Sequence, residues 1–444
     1  MLPRFYFRSR SLPLSGSITA TMYSCETASH FSFVNQKNPR RRLGIALVMT
    51  MTILLLLSIF MTEFFFETTL EIRAIENFKS SFVAQSVAKS MFKAMLVALS
   101  TNETVFFAEL KALYQLTGDG SEMSFLNPPD SLIPLPEGVI PDFEGTILYT
   151  PYVRPIDHLF NLNRIQGAKG TRAADTPTDR KVFNEFVNLL GEIPIEIPQE
   201  EGSQEPVEYR YLGLDDAAPL YAAIFDWMDA KDEGALYSNE AGVEGAEDAA
   251  YEDFDVVEDL KVKNRRLDRL TEIRLIKGIT ESGLDYRDWK QNFTVFDVGM
   301  SEGLDGFTSR LNINLATRDE IVIFLRRFEH YSEYYSELGG PPDNIDIYQK
   351  FVDVAEEFAD LVVQYDEEGN RIVHNSKTLK DVMAEFELGH KFNHLFILYS
   401  TWYEIRLVAE SVGIQSEVRA IVHVPRDVEG DANGGVAIKD FVLR

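Results

Sequence analysis

Residues 38–58 read NPRRRLGIALVMTMTILLLLS, and the joining of three arginines, one glycine and an apolar run at that point decides how the remainder must be built. Residues 43–62 carry no charged side chain over twenty positions. At about 1.5 Å per residue, such a helix crosses the roughly 30 Å hydrocarbon core of a bilayer once. Arg40, Arg41 and Arg42 stand just before it, and the excess of positive charge on the cytoplasmic side places Glu63 and everything after it across the membrane. No second apolar run of that length follows.

A secretory signal would have a shorter apolar core followed by a small-residue cleavage site. Here the sharp features are Gly44 before the run and Glu63-Phe-Phe-Phe-Glu67 after it. Two readings follow from this stretch: an uncleaved signal anchor, or a prepilin-type leader that a cytoplasmic-side peptidase cuts after Gly44, leaving Ile45 as the new N-terminus. Farther on, Ile72, Ile75, Phe78, Phe82, Val83, Val87, Met91, Met95 and Leu99 recur at helical spacing with no Pro or Gly between them. That predicts one long helix over residues 45–105, half in the membrane and half amphipathic. The apolar positions keep no strict heptad, which disfavours a coiled-coil stalk.

The chain has 444 residues, 45% of them hydrophobic and 12% aromatic, enough for more than one core. Its formal charge is −27; the first 43 residues hold seven basic and one acidic side chain, so the rest stands near −33. Nucleic acid is excluded as a partner by that balance. Cys25 is the only cysteine and precedes the apolar run, so the exported part relies on packing or metal and not on disulfides.

Five prolines in residues 126–144 mark a surface connection, and GTILYTPY after it reads as a strand. From about Asp157 to about Pro341 the chain is acidic and helix-rich: RKVFNEFVNLLGEI, APLYAAIFDWMD and RLDRLTEIRLIKGIT each place apolar residues at steps of three and four. Residues 394–424 return to alternation with β-branched residues, the pattern of an antiparallel sheet. The helical block is therefore inserted into an α/β domain.

The ordered set HLFNLN (residues 158–163), DWMDAKDE (226–233), GAEDAAY (245–251), NRRLDRLTEIRLIKGIT (264–280) and LNINLAT (311–317) resembles the type II secretion minor pseudopilin K family over most of the chain after Leu43. The resemblance implies an α+β fold: a pilin-like long N-terminal transmembrane helix packed on a small antiparallel sheet, with a large inserted helical domain of two SAM-like units. The divisions implied are a leader over 1–44, the helix over 45–105, the first part of the pilin domain over 106–156, the insertion over 157–375, and strands completing the pilin domain over 376–444. It also implies a single pass through the inner membrane with the C-terminal domain in the periplasm, processing by prepilin peptidase between Gly44 and Ile45, and a tip complex with minor pseudopilins I and J. Three departures stand out: a leader longer than the family's, for which Met22 is an alternative start; Lys231 at the last acidic place of the family's Asp-Trp-x-Asp-x-Asp; and Leu315 where the family has Thr.

Pilins and pseudopilins of the ordinary kind carry glutamate at the fifth position after the cut, where it pairs with a neighbour's amine. This chain has Met49 there, which marks a subunit with none above it. Asp226 and Asp229 share a helical face, Asp232 follows, and Glu247 and Asp248 lie some fifteen residues on. Carboxylates from two segments suit Ca²⁺, which takes six to eight oxygen ligands, and the family's calcium binding points the same way; the alternative is a solvated acidic face. Thr317 to Glu320 forms a capping box, with Asn312 and Asn314 in the turn before it. LTEIRLIKGIT is helix packing and not a DNA-binding hairpin, given the charge. His390 and His394 form a surface pair without an acidic partner nearby in sequence. No nucleophile elbow, P-loop, zincin helix or dinucleotide fingerprint is present, so the expected role is structural and not enzymatic. The competing reading is a single-pass inner-membrane protein whose periplasmic ectodomain acts as receptor or enzyme.

Overall fold

A computed structural model describes residues 39–116, 124–126, 133–135, 145–165, 177–197, 208–229, 246, 248–251, 261–298, 309–328, 345–367, 371–385, 393–426 and 435–444. It divides into two compact units, residues 1–73 and 74–444. The first holds most of the apolar part of helix α1 (Pro39–Thr101). The second contains the rest of α1, the sheet and the helical insertion.

In the second unit α1 turns one side to the core: Ala84, Val87, Ala88, Phe92, Met95 and Leu99, spaced by three and four, are all buried. The expected single helix over 45–105 ends at Thr101, and α2 (Glu103–Leu116) begins after Asn102. Asn102 Oδ1 accepts the Val105 amide at 3.0 Å, capping the new helix and explaining the break. Phe106, Phe107, Leu110 and Tyr114 of α2 join the same core.

These helices cover one face of an antiparallel sheet. Strands β1 (Thr146–Leu148) and β2 (Tyr152–Pro155) both pair with a later strand, β9 (Trp402–Ser411); β10 (Ile414–His423) pairs with β9, and β11 (Ala437–Leu443) closes the edge on β10. Val153 lies opposite Ile405, and Val418 opposite Leu407. Inward residues Ile405, Leu407, Val418, Ala420 and Val422 meet Phe92 and Phe107 in one core, each large side chain contributing about 1.5–3 kcal/mol by leaving water.

Between β2 and β9 the chain builds two further cores. The first joins β3 (Phe160–Asn161), α3 (Pro177–Gly191), the pair β4 (Ile195–Glu196) and β5 (Tyr209–Arg210), α4 (Leu214–Met228), α5 (Tyr286–Asn292) and β6 (Phe293–Thr294). The second joins β7 (Leu311–Asn312), α6 (Arg318–Arg326), α7 (Ile345–Val362), α8 (Ser376–Glu385) and β8 (Phe396–Ile397).

Both cores are tied the same way. In each, a two-residue parallel pairing, β3 with β6 and β7 with β8, is too short to hold alone. An Asn-x-Asn segment completes it. Asn161 Oδ1 accepts the Asn163 amide and Asn312 Oδ1 accepts the Asn314 amide, both at 3.0 Å. Asn163 then accepts the Leu267 amide at 2.8 Å and donates to the carbonyls of Leu267 and Val295 at 3.0 and 2.7 Å. Asn314 repeats this on His374, accepting its amide at 2.8 Å and donating to His374 and Leu398 at 3.0 and 3.1 Å. Val295 and Leu398 each follow the short partner strand, so the two ties correspond place for place.

Two sequence expectations are corrected here. The stretch after Leu267 was expected to be α-helical, yet only Leu270–Leu275 is helical, and it is a 3₁₀ turn. Leu267, Ile273, Ile276 and Ile279 are buried at multiples of three, the period of a 3₁₀ coil. Gly278 at φ 84° keeps the chain from continuing as a helix. The boundary expected at residue 375 also falls later: residues 376–385 form α8, whose Leu379 and Met383, four apart, sit in the second helical core, and the large sheet resumes only at Trp402. The capping box is present, with the Thr317 side chain accepting from the Glu320 amide and Glu320 Oε2 accepting the Thr317 amide at 2.8 Å.

The β9–β10 hairpin turns on Val412 at φ 51° and Gly413 at φ 79°. This is the two-residue turn with both central residues left-handed, natural for Asn-Gly and strained for a β-branched side chain. Val412 is 82% exposed and gains nothing from packing. Val412→Asn is expected to stabilise the protein by about 1 kcal/mol, read as a rise in the denaturation midpoint. Asn163→Ala and Asn314→Ala each strand three backbone groups and are each expected to destabilise by about 3 kcal/mol. Amide exchange should localise the first loss to Leu267 and its surroundings and the second to His374.

Candidate functional site

α1 presents an apolar surface that nothing among the described residues of the first unit covers. Every large apolar side chain from Leu47 to Phe66 is at least 52% exposed, and this helix is long and apolar enough to cross a membrane. Its hydroxyls are settled internally: Thr50, Thr52 and Thr62 donate at 2.8 Å to the carbonyls of Leu47, Met49 and Ser58. That removes a polar penalty that hydrocarbon would impose. Met49 lies on this surface, 62% exposed. The Gly44–Ile45 peptide bond lies within the helical backbone of α1. Residues 1–38, most of the leader expected over 1–44, lie outside the described residues.

The acidic set expected to hold a metal is reached in part. Asp226 is fully buried near the end of α4, and Asp229 is its C-cap residue and 8% exposed. Asp248 opens a 3₁₀ turn, Asp248–Tyr251, and its Oδ1 accepts the Val262 amide at 2.9 Å. The Trp227 and Tyr251 rings, 5.7 Å apart, bring the two segments together. Asp232 and Glu247 lie outside the described residues, as does His390. Among the described residues no three His, Cys, Asp or Glu side chains gather at metal-binding distance. Asp226, Asp229 and Asp248 offer only oxygen donors, the chemistry of a hard cation, but the three do not converge on one position.

The insertion meets the sheet across charged groups that sequence reasoning did not single out. Asp157 is buried, accepts the Thr401 and Trp402 amides at 3.1 and 3.2 Å and the Thr401 hydroxyl at 2.7 Å; burial pushes its carboxyl up to about 6 against those bonds. Burial, with Arg154 and Arg327 nearby, holds the His158 imidazole well below its usual range. The Arg154 guanidinium donates to the Leu126 carbonyl and the Arg327 guanidinium to the His158 carbonyl. The available signal was a charged pair, Asp157-His158, set inside the apolar run YVRPIDHLFNLN. Asn312 also does more than open a turn, since its Nδ2 reaches Glu103 at 3.1 Å and Ser400 at 2.8 Å.

A half-open groove of about 490 Å³ separates residues 268–296 from the outer face of the sheet, floored by Ile156, Leu159, Phe293, Phe296 and Ile421. Lys290 and Glu404 pair across it at 2.7 Å. Among the described residues its lining holds no His, Cys or Ser side chain.

No protein-family profile matches the sequence, and no curated protein matches it. Among solved structures the chain is similar to one of the crystal structure of the GspK-GspI-GspJ complex from the enterotoxigenic Escherichia coli type 2 secretion system, covering 81% of this chain and 99% of that one at 10% identity and a TM-score of 0.37. Figures that low leave the functional reading to this chain's own helix, sheet and sequence motifs.

Proposed function

We propose that the chain is a minor pseudopilin of a type II secretion system, anchored once in the inner membrane with its C-terminal domain in the periplasm, where it forms the tip of the pseudopilus with minor pseudopilins I and J. One observation carries the reading: a single helix exposes apolar side chains from Leu47 to Phe66 and then buries Ala84, Val87, Ala88, Phe92, Met95 and Leu99 against an antiparallel sheet. That is a membrane spine continuous with a folded head, and it serves assembly instead of turnover. Prepilin peptidase frees the helix by cutting after Gly44. Met49 in place of a carboxylate leaves this subunit unable to draw in another amine above it, which supports the tip position.

In cells with a prepilin peptidase, the purified protein is expected to begin at Ile45, and Gly44→Leu to retain the leader. Cysteines at Ile45 and along residues 82–95 should cross-link to minor partners and rarely to the major subunit. A mature chain still carrying Gly44, or regular cross-linking along the shaft, overturns the assignment.

Calcium would draw together Asp226, Asp229 and Asp248, which do not by themselves gather at metal-binding distance, with Asp232 and Glu247, and would tie the end of α4 to residues 248–251. When bound it supplies charge neutralisation for buried carboxylates. At a hundredfold excess over its dissociation constant it adds about 2.7 kcal/mol by mass action, so thermal stability should fall on adding excess chelator and return with Ca²⁺. An unchanged melting temperature and no metal by elemental analysis refute it.

A further inference from the structure

The groove between residues 268–296 and the outer face of the sheet is apolar inside and cationic at its margins. Leu270, Tyr286, Phe296, Ile421 and Val442 line it half-buried, so they stay open to water around a space of about 490 Å³. Phe296 stacks on Trp402 with ring centres 6.1 Å apart, and the Lys439 ammonium lies over the same indole at 5.9 Å. That holds Lys439 at the margin on the sheet side. Arg269, the N-cap residue of the 3₁₀ turn, stands at the margin of the other wall and is exposed.

Most charges along the groove are already matched. Glu404 is held by Lys290 at 2.7 Å, Arg419 by Glu417 at 2.7 Å, and Asp268 by Lys263 and Arg265 at 2.9 and 3.4 Å. The main-chain oxygen of Arg444 accepts from the Glu417 amide and the Ser416 hydroxyl, each at 3.0 Å. Among the described residues, the Arg269, Lys439 and Arg444 side chains have no ion-pair partner, and of the lining carboxylates only Asp440 has none. Three unmatched cations against one unmatched carboxylate reverse the balance of the chain as a whole, which stands at −27.

We propose that this groove receives a segment of a protein partner in which carboxylates alternate with apolar side chains. In an extended chain successive side chains point to opposite sides. One set then covers Leu270, Phe296 and Ile421 while the other meets Arg269, Lys439 and Arg444 at the margins. The space takes a few side chains and not a globular domain. Unmatched cations on both walls suit carboxylates repeated along a chain, whereas the single phosphate of a lipid headgroup would engage one wall only. The overall negative charge repels such a partner at a distance, but salt screens that repulsion beyond about 10 Å, so the margins decide. Occupancy of the groove is independent of any place at the tip of a fibre.

The test uses the full chain in detergent, with fluorescence anisotropy of a dye-labelled peptide of about ten residues, roughly 33 Å when extended, that alternates glutamate with phenylalanine. This peptide is expected to bind, and its counterpart with lysine in place of glutamate is not. Arg269→Ser with Lys439→Ser should weaken binding about fivefold. Lys377→Ser with Lys380→Ser, an equal loss of exposed charge on α8, should leave it unchanged; the same micelles surround both variants, so partition of the peptide into detergent cancels. In the unaltered protein, deuterium exchange should slow at residues 293–296 and 419–421 when the peptide is added. Absence of binding, equal binding of the lysine peptide, equal weakening in both variants, or slowed exchange confined to other residues overturns the proposal. Displacement of the peptide by an equal concentration of short-chain phosphatidylglycerol gives the groove to a lipid and overturns it as well.

Discussion

Two asparagine amides, Asn163 and Asn314, hold the helical half of this chain together, because each reads both the N–H and the C=O of one distant residue. A carboxamide is the only neutral side-chain group able to accept from an amide and donate two hydrogen bonds in one plane. In each core it replaces a strand that the sequence does not supply: β3 and β6 are two residues long, as are β7 and β8, and such ladders do not persist unaided. Aspartate could not donate, and an apolar residue would leave the Leu267 and His374 backbone groups unsatisfied in a buried site. The preceding asparagines, Asn161 and Asn312, lock the local turn by accepting the amide two residues on. One tie used twice explains why the motifs FNLN and LNIN look alike although the helices around them differ in length.

The long helix solves a different problem, that of one element serving two surroundings. Over residues 47–66 the large side chains point outward all round, as a helix solvated by hydrocarbon requires. Beyond Lys79 the apolar positions narrow to one stripe, and Ala84 and Ala88, four apart on it, let the backbone approach the sheet while Phe92 reaches Phe441 with ring centres 5.7 Å apart. Phe82 and Val97, on the other side, stay more than 60% exposed. The switch from all-round to one-sided apolarity needs no change in helical geometry, only a change in which positions carry charge.

The helix and the alternating strands β9 and β10 were legible in the sequence because each rests on a local period, and the capping box at Thr317 because it rests on a fixed spacing to Glu320. The break at Asn102 was not, since an asparagine cap gives no periodic signal inside an apolar pattern. The coil around Ile273, Ile276 and Ile279 misled for a related reason, because steps of three occur in both helix types and only Gly278 distinguishes them. The end of the insertion was placed too early because α8 buries just Leu379 and Met383 in its core, with Val382 packed beside them, a signal weaker than the strands after it. In the candidate metal site the buried state of Asp226 and Asp229 is a tertiary fact; composition alone shows acidic residues, which an acidic surface would show equally.

Charge at the junction of insertion and sheet follows from the order of the chain. β2 and β9 can pair only if everything from Ile156 to Thr401 folds and returns to the place it left. Apolar contact alone would accept many seatings of the insertion, since it is non-directional. Asp157 accepting from Thr401 and Trp402, Arg154 donating to the Gln291 carbonyl, and Glu103 reaching Asn312 and Ser400 each accept only one. Buried charges of this kind add little net stability against an apolar replacement. Their return is in register: Asp157 grips the two residues at which β9 begins, so the strand enters the sheet with Tyr403 opposite Pro155 and its inward side chains facing the helix, whereas a slip of one residue would turn every one of them to the other face.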